Sequence, residues 1–476
     1  MTEPCELSAV EARRRIGSHR LSPVELLESC LQRIEAMNPA LNALVALDAD
    51  AAMDSARAAE RAVMRGDRLG PLHGLPAGIK DLNATRGLRT TWGSRLFEDH
   101  VPDADDPAVA AIRAAGAVIL GKTNTPEFGA GGNTWNRVYG ATGNPFNPDR
   151  SCAGSSGGSA VALATGMVPL ANGSDYGGSL RTPAAFCGVA GFRPSPGRVP
   201  GPPRPAGLLP FGVQGPMGRD IADLGLLLRA QVGVDATDPF ARESGDLTAP
   251  EEADPGSLKA AISSDLGCAP VDREIRELFA AKMARVQGVF GRLEESHPDF
   301  ADVHEVFDVT RAVNFIAAHG DKVAQQRDQL GPNVIANVED GLGYDVGDVA
   351  RAMAAQTALR QRVLSFFETQ DVLLCPSAAV SPFPHAELYP AEVGGQAMPS
   401  YMRWLSLSYA PTMALCTAAT LPFGLDRHGL PFGLQIIGPQ GTDAKVLSVA
   451  RALEPVLAAE PETAPPRPDP AVLKAD

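Results

Sequence analysis

Residues 151–191, SCAGSSGGSAVALATGMVPLANGSDYGGSLRTPAAFCGVAG, constrain what this chain can fold into more than any other stretch. Two glycine-embedded serine clusters, GSSGG at 154–158 and YGGS at 176–179, flank an apolar, alanine-rich segment. Ser159–Thr165 reads as a helix and Met167–Ala171 as a short strand, so the serines sit in the turns of a helix–strand step. Glycines beside serines suit chemistry in which backbone N–H groups approach a developing negative charge without Cβ atoms in the way. Ser155 and Ser179 are the candidate hydroxyls. Well upstream, GIKD at 78–81 supplies Lys80 between Ile79 and Leu82, an apolar setting in which lysine is rare.

Serine is a poor nucleophile until a base takes its proton. Lysine serves as that base only if burial brings its pKa from about 10.4 toward about 7–8. A second serine between the two would relay the proton. Two rival readings fail on context. GSSGG also fits G-x-S-x-G with Ser156 at its centre, but NPFNPDRSCA before it is no strand, and the histidines that follow (297, 304, 319, 385 and 428) stand in no triad context. GAVILGKT at 116–123 fits the phosphate-loop pattern, yet its Ala-Val-Ile-Leu core reads as a buried strand and not as a glycine-rich turn.

The rest of the chain reads as α/β. Capping boxes Ser8–Glu11 and Ser22–Glu25 open two helices, the second with an apolar stripe of Val24, Leu27, Leu31 and Ile34. An alanine-rich segment, 49–64, continues the helical character, giving an N-terminal helical layer over 1–66. Asp106-Pro107 caps a helix that stops at Gly116, followed by a strand at Ala117–Leu120; Thr125-Pro126-Glu127 starts a further helix, and 144–149 is a loop. Residues 194–218 are proline-rich and read as a long covering loop; 240–370 are more polar and largely helical. Strands return at 371–376 and 433–437, a helix closes at Thr442–Leu457, and 461–476 reads as a loose tail.

Composition narrows the function classes. A net charge of −14 without a basic run argues against nucleic acid as a direct partner. The N-terminus lacks the cationic start and apolar stretch of a secretory signal, and no apolar run reaches membrane-spanning length. Seven scattered cysteines without CxxC spacing read as reduced core thiols, so a cytoplasmic protein is expected. Cys152 and Cys187 flank the serines, but no histidine accompanies either as a thiol nucleophile would require.

The blocks GIKD, GKTNTPEF, NPFNPDRSCAGSSGGSA, GSDYGGSLRTPAAFCGVAGFRPSPGRVP and GLPFGLQIIGP resemble, in order, those of the amidase signature family over roughly residues 5–457. The resemblance implies an α/β fold: a single large domain, 67–460, with a mixed, mostly parallel central sheet between helical layers and a helical insertion at about 240–370. It implies a Ser–cis-Ser–Lys triad of Ser179 as nucleophile, Ser155 as bridging serine after a cis Gly154–Ser155 peptide, and Lys80 as base. The oxyanion hole falls on backbone N–H groups of Tyr176, Gly177, Gly178 and Ser179, with a substrate-lining loop near Gly129. The expected activity is hydrolysis of a small-molecule amide, without metal or organic cofactor. The resemblance points to a homodimer as a possible assembly, with no nucleic-acid or membrane partner. A glutaminase-type component of a glutamyl-tRNA amidotransferase is the alternative, and a nucleotide-binding protein using 116–123 a distant third. Where the family usually has GTDTGGSIR this chain has GSDYGGSLR, which keeps a hydroxyl at Ser174 and sets the Tyr176 ring beside the oxyanion loop. Ala153-Gly154 replaces a glycine pair, and Asp175 and Arg181 are read as structural partners that orient the loop. The pocket itself is expected from the 195–215 and 300–405 regions.

Overall fold

Side-chain caps start the first helices. In a computed structural model that describes residues 3–243, 245–247, 253–471 and 473, helix α1 (Ala9–Gly17) begins where Ser8 accepts the Glu11 N–H. Glu11 turns outward to Arg14 and Arg15, so only half of that box forms. The box of α2 (Pro23–Leu41) is complete: Glu25 also accepts the Ser22 N–H, at 2.9 Å. Helix α3 (Ala49–Arg65) follows as expected.

Eleven strands build the central sheet: β1 (Leu44–Leu47), β2 (Pro76–Lys80), β3 (Val118–Thr123), β4 (Leu170–Asp175), β5 (Ala190–Arg193), β6 (Val213–Gly218), β7 (Lys259–Ile262), β8 (Arg292–Glu295), β9 (Val372–Pro376), β10 (Thr417–Leu425) and β11 (Pro431–Gly438). Their spatial order is β1-β3-β2-β4-β6-β5-β10-β11-β9-β7-β8. The sheet is mixed and flanked by helices, the architecture expected. Its parallel pairings fall in two blocks, β3-β2-β4 and β9-β7-β8. An antiparallel centre joins the blocks, and β1 adds an antiparallel edge. The short turn between β10 and β11 allows only antiparallel pairing, whereas parallel neighbours need a crossover helix.

Helices α5 (Gly157–Ala164) and α6 (Arg181–Cys187) form one buried layer on the sheet. Helices α7 (Ile221–Gln231) and α13 (Asp443–Ala459) form another, joined by α1 and by α4 (Pro107–Ala114). Helices α9 (Val303–Gln326), α10 (Pro332–Gly341) and α11 (Val346–Phe367) pack together with α12 (Ser406–Met413). The helix α8 (Arg273–Val286) completes the helical character expected of 240–370, although β7 and β8 also come from that region.

Several local expectations differ from what forms. The last six residues of the proline-rich stretch form strand β6, hidden in sequence because Val-Gln-Gly-Pro-Met-Gly is poor in β-branched residues. Thr125-Pro126-Glu127 leads only to a short 3-10 turn, Glu127–Gly129, in which Phe128 takes a positive φ. Residues 147–151 pair with 143–144 as a small separate hairpin. The tail, expected to be loose, packs back on the body: Thr463 and Leu473 are buried, and the Thr463 hydroxyl donates to Leu457 O at 2.8 Å. Its positions 472 and 474–476 lie outside the described residues.

Candidate active site

The parallel strands β3, β2 and β4 end together, and the carboxyl ends of parallel strands are where α/β sheets open toward ligands. Lys80 is the last residue of β2, fully buried, with its backbone N–H tied to Asn172 Oδ1 of β4 at 2.8 Å. Its Nζ lies 2.7 Å from Ser155 Oγ, 2.8 Å from Ser156 Oγ and 3.0 Å from Ser174 Oγ. Burial pushes the Lys80 ammonium down to about 7, against the opposing pull of the Asp175 carboxylate. Three hydroxyls suit both of its states. An ammonium donates to all three; a neutral amine donates to two and accepts a proton from the third.

Ser155 and Ser156 sit at the N-terminal end of α5, after a cis Gly154–Ser155 peptide. Ser179 lies in the turn between β4 and α6, and the two loops abut through the Ser156 N–H, which donates to Ser179 O at 3.3 Å. The 175–179 loop is held from within. Arg181 forms a bidentate pair with Asp175, Nε to Oδ2 at 3.0 Å and Nη2 to Oδ1 at 2.9 Å. Arg193 adds bonds to Asp175 O at 2.7 Å and Oδ1 at 3.2 Å. Burial alone would raise the Asp175 carboxyl, but the two guanidiniums outweigh it and hold it well below the usual carboxylate range. The structural reading of Asp175 and Arg181 matches this geometry.

That same carboxylate accepts the Gly178 N–H at 3.1 Å, so one of the four expected oxyanion donors points inward. Gly178 serves as the turn: its φ is +113°, and a Cβ there would meet Ser408 Cβ at 2.5 Å. The N–H groups of Gly177 and Ser179 meet no acceptor among the described residues.

Ser155 and Ser179 open onto a cavity of about 450 Å³, which Gly129, Tyr176, Gly177 and Ser174 also line. Gly129 has φ +73°, and a Cβ there would lie 3.5 Å from Ser155 Oγ, so glycine keeps the approach to that hydroxyl open. The Tyr176 ring is set edge-on between Phe211 and Phe307, at 6.0 and 5.9 Å. The far wall comes from 195–214, 311–315 and 401–405, within the regions expected to shape the pocket. No histidine is among the described residues that line it.

The rival motifs are sealed. Lys122 of the phosphate-loop pattern lies inside β3, buried, and its Nζ donates to Asn83 O, to Thr85 Oγ1 at 2.9 Å and to Thr90 Oγ1 at 3.0 Å. Burial pushes the Cys152 thiol up to about 12 and the Cys187 thiol well above its ordinary value, which removes both as thiolates. Among the described residues no cluster of His, Cys, Asp or Glu could hold a metal ion, and no helix is long and apolar enough to cross a membrane.

The Amidase family profile matches residues 25–447. The chain belongs to the amidase signature family. It is an amide-hydrolysing enzyme. An acylamidase of Rhodococcus erythropolis is 34% identical over 455 residues, covering 94% of this chain and 95% of that relative. A glutamyl-tRNA(Gln) amidotransferase subunit of Thermus thermophilus is 33% identical over 489 residues, covering 94% and 96%. Among solved structures, a bacterial aryl acylamidase of the amidase signature family superposes with a TM-score of 0.89 at 29% identity, covering 96% of each chain. In this amidase Lys80 meets Ser155, and Ser155, Ser179 and Gly129 line one cavity; the motifs did not assign Ser156 and Ser174 as partners of the lysine. Both are hydroxyls within the two serine-bearing blocks, Ser156 next to Ser155 and Ser174 next to Asp175, which their placement could have flagged.

Proposed function

We propose that this chain hydrolyses a small carboxylic amide through an acyl-enzyme on Ser179, with Ser155 relaying protons to and from Lys80. The observation that carries the reading is the buried Lys80 amine, brought down to about 7 and set 2.7 Å from Ser155 Oγ. Ser179 Oγ attacks the amide carbon while its proton moves to Ser155, whose own proton passes to neutral Lys80. The oxyanion forms against the free N–H groups of Gly177 and Ser179, with Tyr176 beside them and Gly178 supplying the turn. The Lys80 ammonium returns a proton through Ser155 to the amide nitrogen, the C–N bond breaks, and the amine leaves. Water then attacks the ester, gives its proton to the same relay, and frees Ser179 and the carboxylic acid. No residue of the cycle needs a metal or organic cofactor.

Incubation with an activated aryl ester, followed by acid quench and peptide mass mapping, tests this reading. An acyl group on the peptide that holds Ser179 is expected. Turnover that survives Ser179→Ala would sink the assignment. A second reading, a glutaminase-type component that passes ammonia to a partner, draws on the 33% identity to the Thermus amidotransferase chain. Glutamine hydrolysis faster than that of simple anilides would favour it.

A further inference from the structure

Among the described residues two arginines line the cavity, and they differ in one respect. Arg204 is neutralised by Asp238 at 2.5 Å. Arg311, on α9, has no carboxylate within ion-pair distance among the described residues. Asp308, three residues earlier on the same helix, is engaged instead by Arg403 at 3.0 Å. The Asp175 carboxylate in the same wall is likewise taken, by Arg181 and Arg193.

Arg311 is only 6% exposed, yet it is held in a fixed pose. Its guanidinium carbon stands 4.3 Å from the Phe315 ring centre and 5.6 Å from those of Tyr176 and Tyr401. Nε donates to Asn337 Oδ1 at 2.9 Å, and Nη2 donates to the Tyr401 hydroxyl, which Asn337 Nδ2 also reaches at 2.8 Å. A guanidinium has five N–H donors. The remaining ones, including both on Nη1, have no protein acceptor among the described residues. Arg311 lines the cavity, so these donors are open to an acceptor that a ligand brings. The planar fork of arginine fits a carboxylate in two-point fashion. Arg311 and Ser179 line the same cavity, and Tyr176, whose ring centre lies 5.6 Å from the Arg311 guanidinium carbon, belongs to the loop that carries Ser179.

We propose that Arg311 recognises a carboxylate on the substrate, so that this enzyme prefers anionic amides. This inference rests on the amidase reading above. The carboxylate would belong to the acyl part, as in a dicarboxylic acid monoamide, or to the leaving amine, as in an N-acyl amino acid or aminobenzoate.

Two matched pairs separate these sources: succinic mono-4-nitroanilide with its levulinic counterpart, and N-acetyl-4-aminobenzoate with N-acetyl-4-aminoacetophenone. In each pair an acetyl group replaces the carboxylate. Wild type is expected to favour the anionic member of one pair by about tenfold or more in kcat/KM, in line with a charge-assisted contact. In Arg311→Gln that ratio falls to about one, mostly through KM, and Arg311→Lys keeps part of it. Calorimetric binding of succinate and 4-aminobenzoate reads the same contact without turnover, and thermal midpoints check that both variants fold. Loss of both members of a pair in equal proportion, or a preference that survives in Arg311→Gln, would overturn the assignment. Fluorophosphonate labelling keeps the two ideas apart. A labelled serine with neither carboxylate bound nor preferred defeats the Arg311 inference alone. An unlabelled enzyme that binds a carboxylate through Arg311 defeats the hydrolase reading and keeps the anion site.

Discussion

Removing one of the three hydroxyls around Lys80 should shift the pH dependence of catalysis in a direction the geometry specifies. With its pKa at about 7 instead of the ordinary 10.5, roughly three-quarters of Lys80 is neutral at pH 7.5, against about one part in a thousand. Burial therefore multiplies the neutral fraction several hundredfold at that pH, at the cost of a weaker base. Ser174 Oγ accepts from Nζ at 3.0 Å, and Ser174→Ala takes that acceptor away. The ammonium loses more than the neutral amine, because a hydrogen bond from a charged donor is worth about 1 kcal/mol more than a neutral one. The ammonium is thus disfavoured, and the pKa falls by about 0.7. The assay is kcat/KM for a chromogenic anilide from pH 5 to 9, which reports the free enzyme's groups. Wild type should show an acid limb centred near 7, rising with pH as Lys80 loses its proton; the variant's limb should sit at about 6.3. A limb that stays put or moves up in Ser174→Ala, or wild-type activity undiminished at pH 5, would refute the reasoning.

Three other outcomes follow from the same geometry. Asp175→Asn leaves the buried Arg181 and Arg193 guanidiniums without their counter-charge and should cost about 3–5 kcal/mol in urea unfolding; a loss below about 1 kcal/mol would deny the pair its role. Gly178→Ala puts a Cβ 2.5 Å from Ser408 Cβ at φ +113°, so anilide hydrolysis should fall by about a hundredfold or more with a lower thermal midpoint, and full activity would contradict the turn. Mg-ATP should leave the thermal midpoint unchanged, because Lys122 is enclosed in β3; a rise that grows with ATP concentration would reopen the nucleotide reading.

The site was legible in sequence where chemistry and local turn coincide. Ser155 and Ser179 stand in glycine-rich turns, and Lys80 ends a short apolar run, so both residue type and spacing betray them. Arg311 left no such signal: on an amphipathic helix it looks like any solvated arginine with Phe315 one turn on, and only the fold brings Tyr176 and Tyr401 around it. The inward turn of the Gly178 N–H was equally hidden, since it depends on where the Arg181–Asp175 pair pulls the carboxylate. For the fold, β3, β9 and β11 read as strands from their apolar runs. Strand β6 did not, because Gly215 and Pro216 mask a segment whose strand state comes from pairing with β4 and β5 on its two sides. The tail misled for a similar reason: a proline-rich, charged stretch reads as loose, while Thr463 and Leu473 find buried places that only the packed body provides.

The central claim is that burial of Lys80 activates Ser179 through Ser155. Intact-protein mass after treatment with a fluorophosphonate tests it most directly, on wild type, Ser179→Ala and Lys80→Ala. One adduct on wild type, mapped to Ser179 and absent from both variants, is the predicted result. Labelling that persists in Ser179→Ala, or that proceeds at the wild-type rate in Lys80→Ala, would contradict it.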